Sequence, residues 1–348
     1  MSMSLFHIVK NVNEPVLHFC SSCSIPFSSS YYYYLNRDLL YLKENYDRNL
    51  YYSKYIQPYG MLKNIHPVTK KKTKKNYLLY YELLDIFYTH KIKFIKTTNH
   101  FTFSSSPILS SSPILSVLEE GQLTCSSFLT FTQNPYWTKQ FILKECLNRN
   151  NTICYNTFCQ DEIIHILNHS FKKKFDILIF ELFDSQYKQH FSSYLMIVLY
   201  FILFHQEQSN QSMFIFKIQN INPLLCEFIY VLSFLFETCC IVKSSVYNKY
   251  KNEKYIICKK LTQNVELFKV YKKKMFNIIV NKKQISSLLN KLPPLYFMNM
   301  LNEINNLFGQ EQLYFLEQLI QFYQTPNIRE KIQTLKKTNY EKCKQFYI

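Results

Sequence analysis

Alanine is absent from this 348-residue chain, glycine occurs only at positions 60, 121 and 309, and arginine only at 37, 48, 149 and 329. Each of these residues has GC-rich codons, whereas the abundant Lys, Asn, Ile, Tyr and Phe have AT-rich ones. The bias is therefore read as genomic, and part of the lysine excess as drift. With three glycines the chain has few positions that turn at positive φ or admit a ligand against bare backbone. No secretory signal with a cleavage site is recognisable. Neither long apolar run qualifies as membrane-spanning: residues 194–204 are too few, and residues 224–242 carry Glu227 and Glu237. The eleven cysteines form no evident framework. Cys20 and Cys23, with His18 just upstream, resemble half a zinc site, but no second CxxC follows, and Cys154 and Cys159 are too widely spaced to complete it. Ordinary thiols, no metal, no membrane and a reduced intracellular setting are expected, with cytoplasm and nucleus both open.

What the chain does have is positive charge. Lys+Arg of 41 against Asp+Glu of 24 gives +17, which favours a polyanionic partner such as RNA. Residues 70–75 (KKKTKK) are a basic run feeding an expected helix at 77–88. Such a run is solvated by default; phosphate contact and an import signal are the functional alternatives. Tyrosines cluster at 31–34 and at 51, 52 and 55. They stack nucleobases in one interpretation and cover the core in the other. Residues 104–116 repeat SSSPILS, a loop-like slippage product.

The second half is more strongly patterned. Residues 175–181 (FDILIFE), 213–217 (MFIFK), 239–243 (CCIVK) and 254–260 (KYIICKK) read as strands, and residues 194–204 and 223–236 as apolar helices between them. Strands alternating with helices imply right-handed crossovers and parallel pairing. The connection from Lys243 to Lys254 is too short for a crossover, so the last strand should run antiparallel. Ligands gather at the carboxyl ends of such strands. Glu181 and Lys217 end two of them, and Glu253 opens the antiparallel one. Three ionisable residues far apart in sequence should therefore meet at one edge. A further strand is expected at 114–119, helices near 139–147 and 161–168, and helices at 296–308 and 310–323.

These segments resemble the FtsJ-like, S-adenosylmethionine-dependent RNA ribose 2′-O-methyltransferases, especially the cap-methylating branch of large DNA viruses and eukaryotes. MFIFKIQN resembles the family strand ending in a catalytic lysine, here Lys217. VKSSVYNKYKNEKYIICKK resembles the Lys-Pro-x-x-Ser-Arg-x-x-Asn-Ser-Glu-x-Tyr segment and keeps Lys243, Glu253 and Tyr255, with Ser244 for the proline and Asn248 for the arginine. FDILIFE places Glu181 where the family has an aspartate. In KNYLLYYELLDIF the family's first lysine falls on Leu79.

The resemblance implies a seven-stranded Rossmann-like α/β methyltransferase sheet with an antiparallel final hairpin over residues 75–261. It leaves an N-terminal extension (1–74) and a helical C-terminal region (262–348). It implies catalytic roles for Lys217, Glu253 and Glu181. The family's donor loop, Pro-Gly-Gly-Phe, is replaced by EEGQLTCSSF at 119–128, so Glu120, Gly121 and Phe128 are the expected contacts to S-adenosylmethionine. RNA is the implied partner. Catalysis on capped messenger RNA, and a non-catalytic RNA-binding or assembly subunit on the same fold, both follow from this pattern.

Overall fold

The computed structural model describes residues 4–11, 15–20, 30–46, 51–60, 62, 82–83, 85–87, 93–94, 124–125, 128–132, 152–156, 177–182, 188–204, 213–246, 249–262, 264–281 and 283–345. The expectations for 70–75, 104–116, 114–119, 139–147 and 161–168 lie outside the described residues. No helix among the described residues is long and apolar enough to cross a membrane.

The protein is a mixed α/β fold. Its main sheet contains β1 (Ser4–Ile8), β5 (Phe128–Thr132), β6 (Thr152–Asn156), β7 (Ile177–Leu182), β8 (Met213–Ile218), β9 (Phe236–Lys243) and β10 (Lys254–Leu261), in the order β1-β9-β10-β8-β7-β5-β6. Strands β6, β5, β7 and β8 pair in parallel, whereas β10 is antiparallel to both β8 and β9. The short connection between Lys243 and Lys254 thus folds as a hairpin. The seven strands are not the seven that the resemblance implies. One of them, β1, comes from the N-terminal extension and pairs antiparallel with the outer edge of β9. Two two-stranded ribbons stand apart, β2 (Leu17–Cys20) with β11 (Ser287–Leu289) and β3 (Lys93–Phe94) with β4 (Thr124–Cys125).

Helices α1 (Ser30–Asn45) and α2 (Ser53–Ile56) precede the sheet proper. The crossovers are α3 (Lys188–Phe204), between β7 and β8, and α4 (Pro223–Leu235), between β8 and β9. Asn222 starts α4: its side chain accepts from Leu225 N at 2.8 Å, and Pro223 occupies the first turn, where a missing N–H costs nothing. Alternate residues of β7 and β8 (Leu178, Phe180, Leu182; Phe214, Phe216, Ile218) join the apolar residues of α3 and α4 in one core. Phe180 stacks on Phe216 at 5.4 Å, and Phe228 of α4 meets Phe216 edge-on at 5.6 Å.

The C-terminal region is helical, with α5 (Lys272–Val280), α6 (Leu295–Gln324) and α7 (Ile328–Gln345). The two helices expected at 296–308 and 310–323 are one: Gly309 is buried inside α6 without breaking it, since one glycine costs about 1 kcal/mol against the packing of a 30-residue helix. This region is tied to the sheet domain by a buried carboxylate. Glu227 of α4 accepts from Ser287 Oγ at 3.0 Å, from Leu289 N at 3.2 Å and from Leu288 N. Further along, Leu316 and Leu319 of α6 pack with Leu35 and Leu42 of α1.

Candidate active site

Pairing register decides which side chains meet at the carboxyl edge. Glu181, Lys217, Tyr255 and Val242 are directly opposite one another across β7, β8, β10 and β9. Being one residue out of phase with Phe180, Phe216 and Ile256, they belong to the face turned away from α3 and α4. Glu82, Leu83, Asp85, Ile86 and Phe87 are helical and buried, with exposures of 6% or less.

Lys217 is the centre. Its Nζ donates to Glu82 Oε2 at 3.0 Å and lies 2.8 Å from Glu253 Oε2, with side-chain exposures of 8%, 3% and 11% for the three. Tyr255 Oη also donates to Glu82 Oε2. Lys251, itself half-exposed, reaches Glu253 Oε1 at 3.3 Å. Burial by itself would push the Lys217 pKa down. The three carboxylates Glu82, Glu253 and Glu181 outweigh it and hold the amine firmly protonated, above the ordinary lysine range. For Glu253 the burial cost is likewise overcome, chiefly by Lys217, and its pKa lies below the usual carboxylate value.

Three acidic residues therefore surround Lys217, where the sequence led us to expect Glu181 and Glu253 alone. Glu82 and Glu253 are its direct ion partners, and Glu181 acts across the strand pair. Glu82 was missed because it sits in an apolar helical pattern, YLLYYELLDIFY. The available signal was the spacing Glu82, Asp85, two acids one turn apart beside fully buried Leu83 and Ile86. Asp85 makes the second anchor: its Oδ2 accepts from Ser244 Oγ at 2.6 Å, Ser245 N at 2.8 Å and Ser245 Oγ at 3.1 Å. One helical turn thus grips both the centre and the first turn of the β9–β10 hairpin.

A second group of lysines occupies the opposite face of the same edge. Lys254 Nζ donates to Asn252 Oδ1 and Asn305 Oδ1, both at 3.1 Å, and lies 5.3 Å from the ring centroid of Phe308. Lys243 Nζ lies 5.4 Å from the same ring and 3.9 Å from Glu311 Oε2. Burial pushes the Lys243 pKa down to about 8, with Glu311 offsetting part and Lys249 adding to it. Lys254 is pushed well down by burial and then by Lys243. The sequence pattern marked Lys243 only through the resemblance and gave no sign of Lys254.

Of the expected methyl-donor contacts, Glu120 and Gly121 lie outside the described residues. Phe128 opens β5, whose side chains are likewise not among those described. Among the described residues no group of three or more His, Cys, Asp or Glu side chains is arranged to hold a metal ion. No protein-family model matches the chain, and no curated protein matches it.

Proposed function

We propose that this protein is an RNA ribose 2′-O-methyltransferase of the FtsJ-like type, on a Rossmann-like sheet, with Lys217, Glu253 and Glu181 at its centre. The observation that carries this reading is the 2.8 Å Lys217–Glu253 ion pair at the carboxyl edge, with Glu181 opposite Lys217 in register. The parallel β5-β7-β8 run followed by an antiparallel β10 inserted before β9 supports it as well. S-adenosylmethionine, when bound, supplies an electrophilic sulfonium methyl. A ribose hydroxyl is a weak acid and needs charge beside it to become a nucleophile. Lys217, held as an ammonium, would lower the hydroxyl's pKa; the hydroxyl proton would pass to water as the oxygen takes the methyl, and the demethylated donor would leave as a neutral thioether. Glu253 fixes the amine in place. Capped messenger RNA is the substrate class and an intracellular compartment the setting.

One observation favours a second reading, a methyltransferase-fold subunit that binds RNA without catalysis. Glu82 makes a second direct contact to Lys217, while the lysine that the family carries in this helix falls here on Leu79. A buried ammonium bound by two carboxylates also serves as a structural cross-link. Transfer of tritiated methyl from the donor to short capped RNA separates the two. The enzyme reading expects label on a ribose 2′-oxygen, lost in Lys217→Arg, whose longer planar guanidinium keeps the buried charge but not its placement beside the hydroxyl. A folded, RNA-binding wild type that transfers nothing selects the subunit.

A further inference from the structure

Helix α7 carries Arg329, Lys331, Lys336, Lys337, Lys342 and Lys344 against Glu330 and Glu341. Nearly all of it is exposed; Asn339 and Cys343 are buried. Asn339 Nδ2 docks the helix on the chain around α2, donating to Gln57 O at 3.1 Å and to Tyr55 O. That contact brings α7 beside three tyrosines. Tyr52 is an anchor, packed at 5.1 Å from Tyr323 and 5.8 Å from Phe322 of α6. Tyr51 projects: 53% of its surface stays in water.

Cations surround these rings. Lys54 Nζ sits 3.5 Å from the Tyr51 centroid and 4.9 Å from that of Tyr55, and Lys336 Nζ of α7 lies 5.2 Å from Tyr55. Tyr51 and Tyr55 hydroxyls are 3.4 Å apart, which holds the two rings as a unit. An aromatic ring that served only to cover the core would be turned inward, as Tyr52 is. Lys54 covers one face of Tyr51; the rest of this half-exposed ring offers a stacking surface with charge directly behind it, the combination that grips single-stranded nucleic acid.

The basic row does not stop there. Lys342 lies six residues, or about 9 Å of helix rise, beyond Lys336. Burial lowers the Lys249 pKa, Glu311 offsets part of that, and Lys342 adds to it.

We propose that Tyr51, with Lys54 and Lys336, is a docking platform for single-stranded RNA, one base stacking on the tyrosine and the phosphates following α7 toward the edge that holds Lys217. This rests on the RNA half of the function proposed above and not on methyl transfer.

The test is fluorescence anisotropy of a short labelled oligouridylate on the full-length protein at several salt concentrations. Tyr51→Ala should weaken binding about 5- to 100-fold, the range of one lost base stack. Tyr51→Phe should bind as wild type does. The double variant Lys54→Gln, Lys336→Gln should flatten the salt dependence by roughly 0.7 in slope per charge removed. Tyr314→Ala, at an exposed tyrosine on α6, should change nothing. Wild-type binding that Tyr51→Ala and the double variant both leave intact overturns the platform, and so does a wild type that binds no RNA. Charge-only binding, with inorganic polyphosphate competing and Tyr51→Ala silent, overturns it too. Methyl-donor binding, measured separately, reports on the catalytic reading whichever result is found.

Discussion

Glu82 and Lys217 are 135 positions apart in the chain and 3.0 Å apart in the fold. Their contact turns a lysine at a strand end into the hub of a buried network, with Glu253 on its other side and Tyr255 bonded to Glu82. Removing the hub leaves carboxylates in a dry site. Lys217→Ala should therefore cost about 3–5 kcal/mol of stability at neutral pH. Lys217→Arg should cost much less. Urea unfolding of the three proteins checks this, and an Ala variant as stable as wild type would contradict the network. Loss of activity in Lys217→Ala alone would for that reason say little about chemistry.

The same network has a sign in alkaline and acid solution. Because the Lys217 pKa is raised on folding, its contribution is complete below the unfolded lysine value and is lost as pH rises above it. Glu253, with a lowered pKa, contributes above the ordinary carboxylate value and loses that contribution as pH falls below it.

Lys243 behaves oppositely. Folded, it releases its proton near pH 8, while the unfolded chain holds it to about 10.5. Over that window the unfolded state binds more protons, so this group makes stability rise with pH. Lys243→Met, which has nothing to titrate, should show a shallower rise between pH 8 and 10 and greater stability at pH 7. Equal slopes in urea midpoints against pH would refute the assignment.

Glu227 links α4 to β11 through Ser287 and the amides of Leu288 and Leu289. Glu227→Ala strands those buried donors and should cost on the order of 1–3 kcal/mol. Hydrogen exchange should then show the amides of residues 287–289 opening first. Unchanged protection there would mean that the ribbon is held by its strand pairing alone.

At Gly60 a Cβ would meet Lys54 O at 2.2 Å, a backbone atom that cannot rotate away. Gly60→Ala should destabilise by roughly 1–3 kcal/mol and weaken RNA binding through the displaced Lys54. A Tm equal to wild type would show that the turn around α2 relaxes freely.

Much of the sheet edge was legible because its strands are apolar runs with a single charge near one end: β7 ends one residue beyond Glu181, β8 one residue beyond Lys217, and Glu253 immediately precedes β10. Period-two alternation then places those charges on one face. What stayed hidden depends on long-range pairing. Strand β1 reads SLFHI, too short to stand out, and is a strand only because β9 offers it an open edge. Glu82 and Asp85 look like the polar residues of an ordinary amphipathic helix, and only the tertiary fold shows them pointing inward. Nothing in the sequence singled out Lys254; Asn305, 51 positions away, accepts from its buried ammonium. The tyrosines at 51, 52 and 55 were noticed as a cluster, but their division into an anchor and a projecting ring follows from α6 and α7.

The most direct test of the account is calorimetric titration of S-adenosylmethionine into the purified full-length protein. Saturable binding at micromolar strength is the predicted result, with Glu120, Gly121 and Phe128 serving as a donor loop that has one glycine. No heat of binding on a demonstrably folded protein would contradict the methyltransferase centre and leave Lys217, Glu82 and Glu253 as a structural cross-link within an RNA-binding fold.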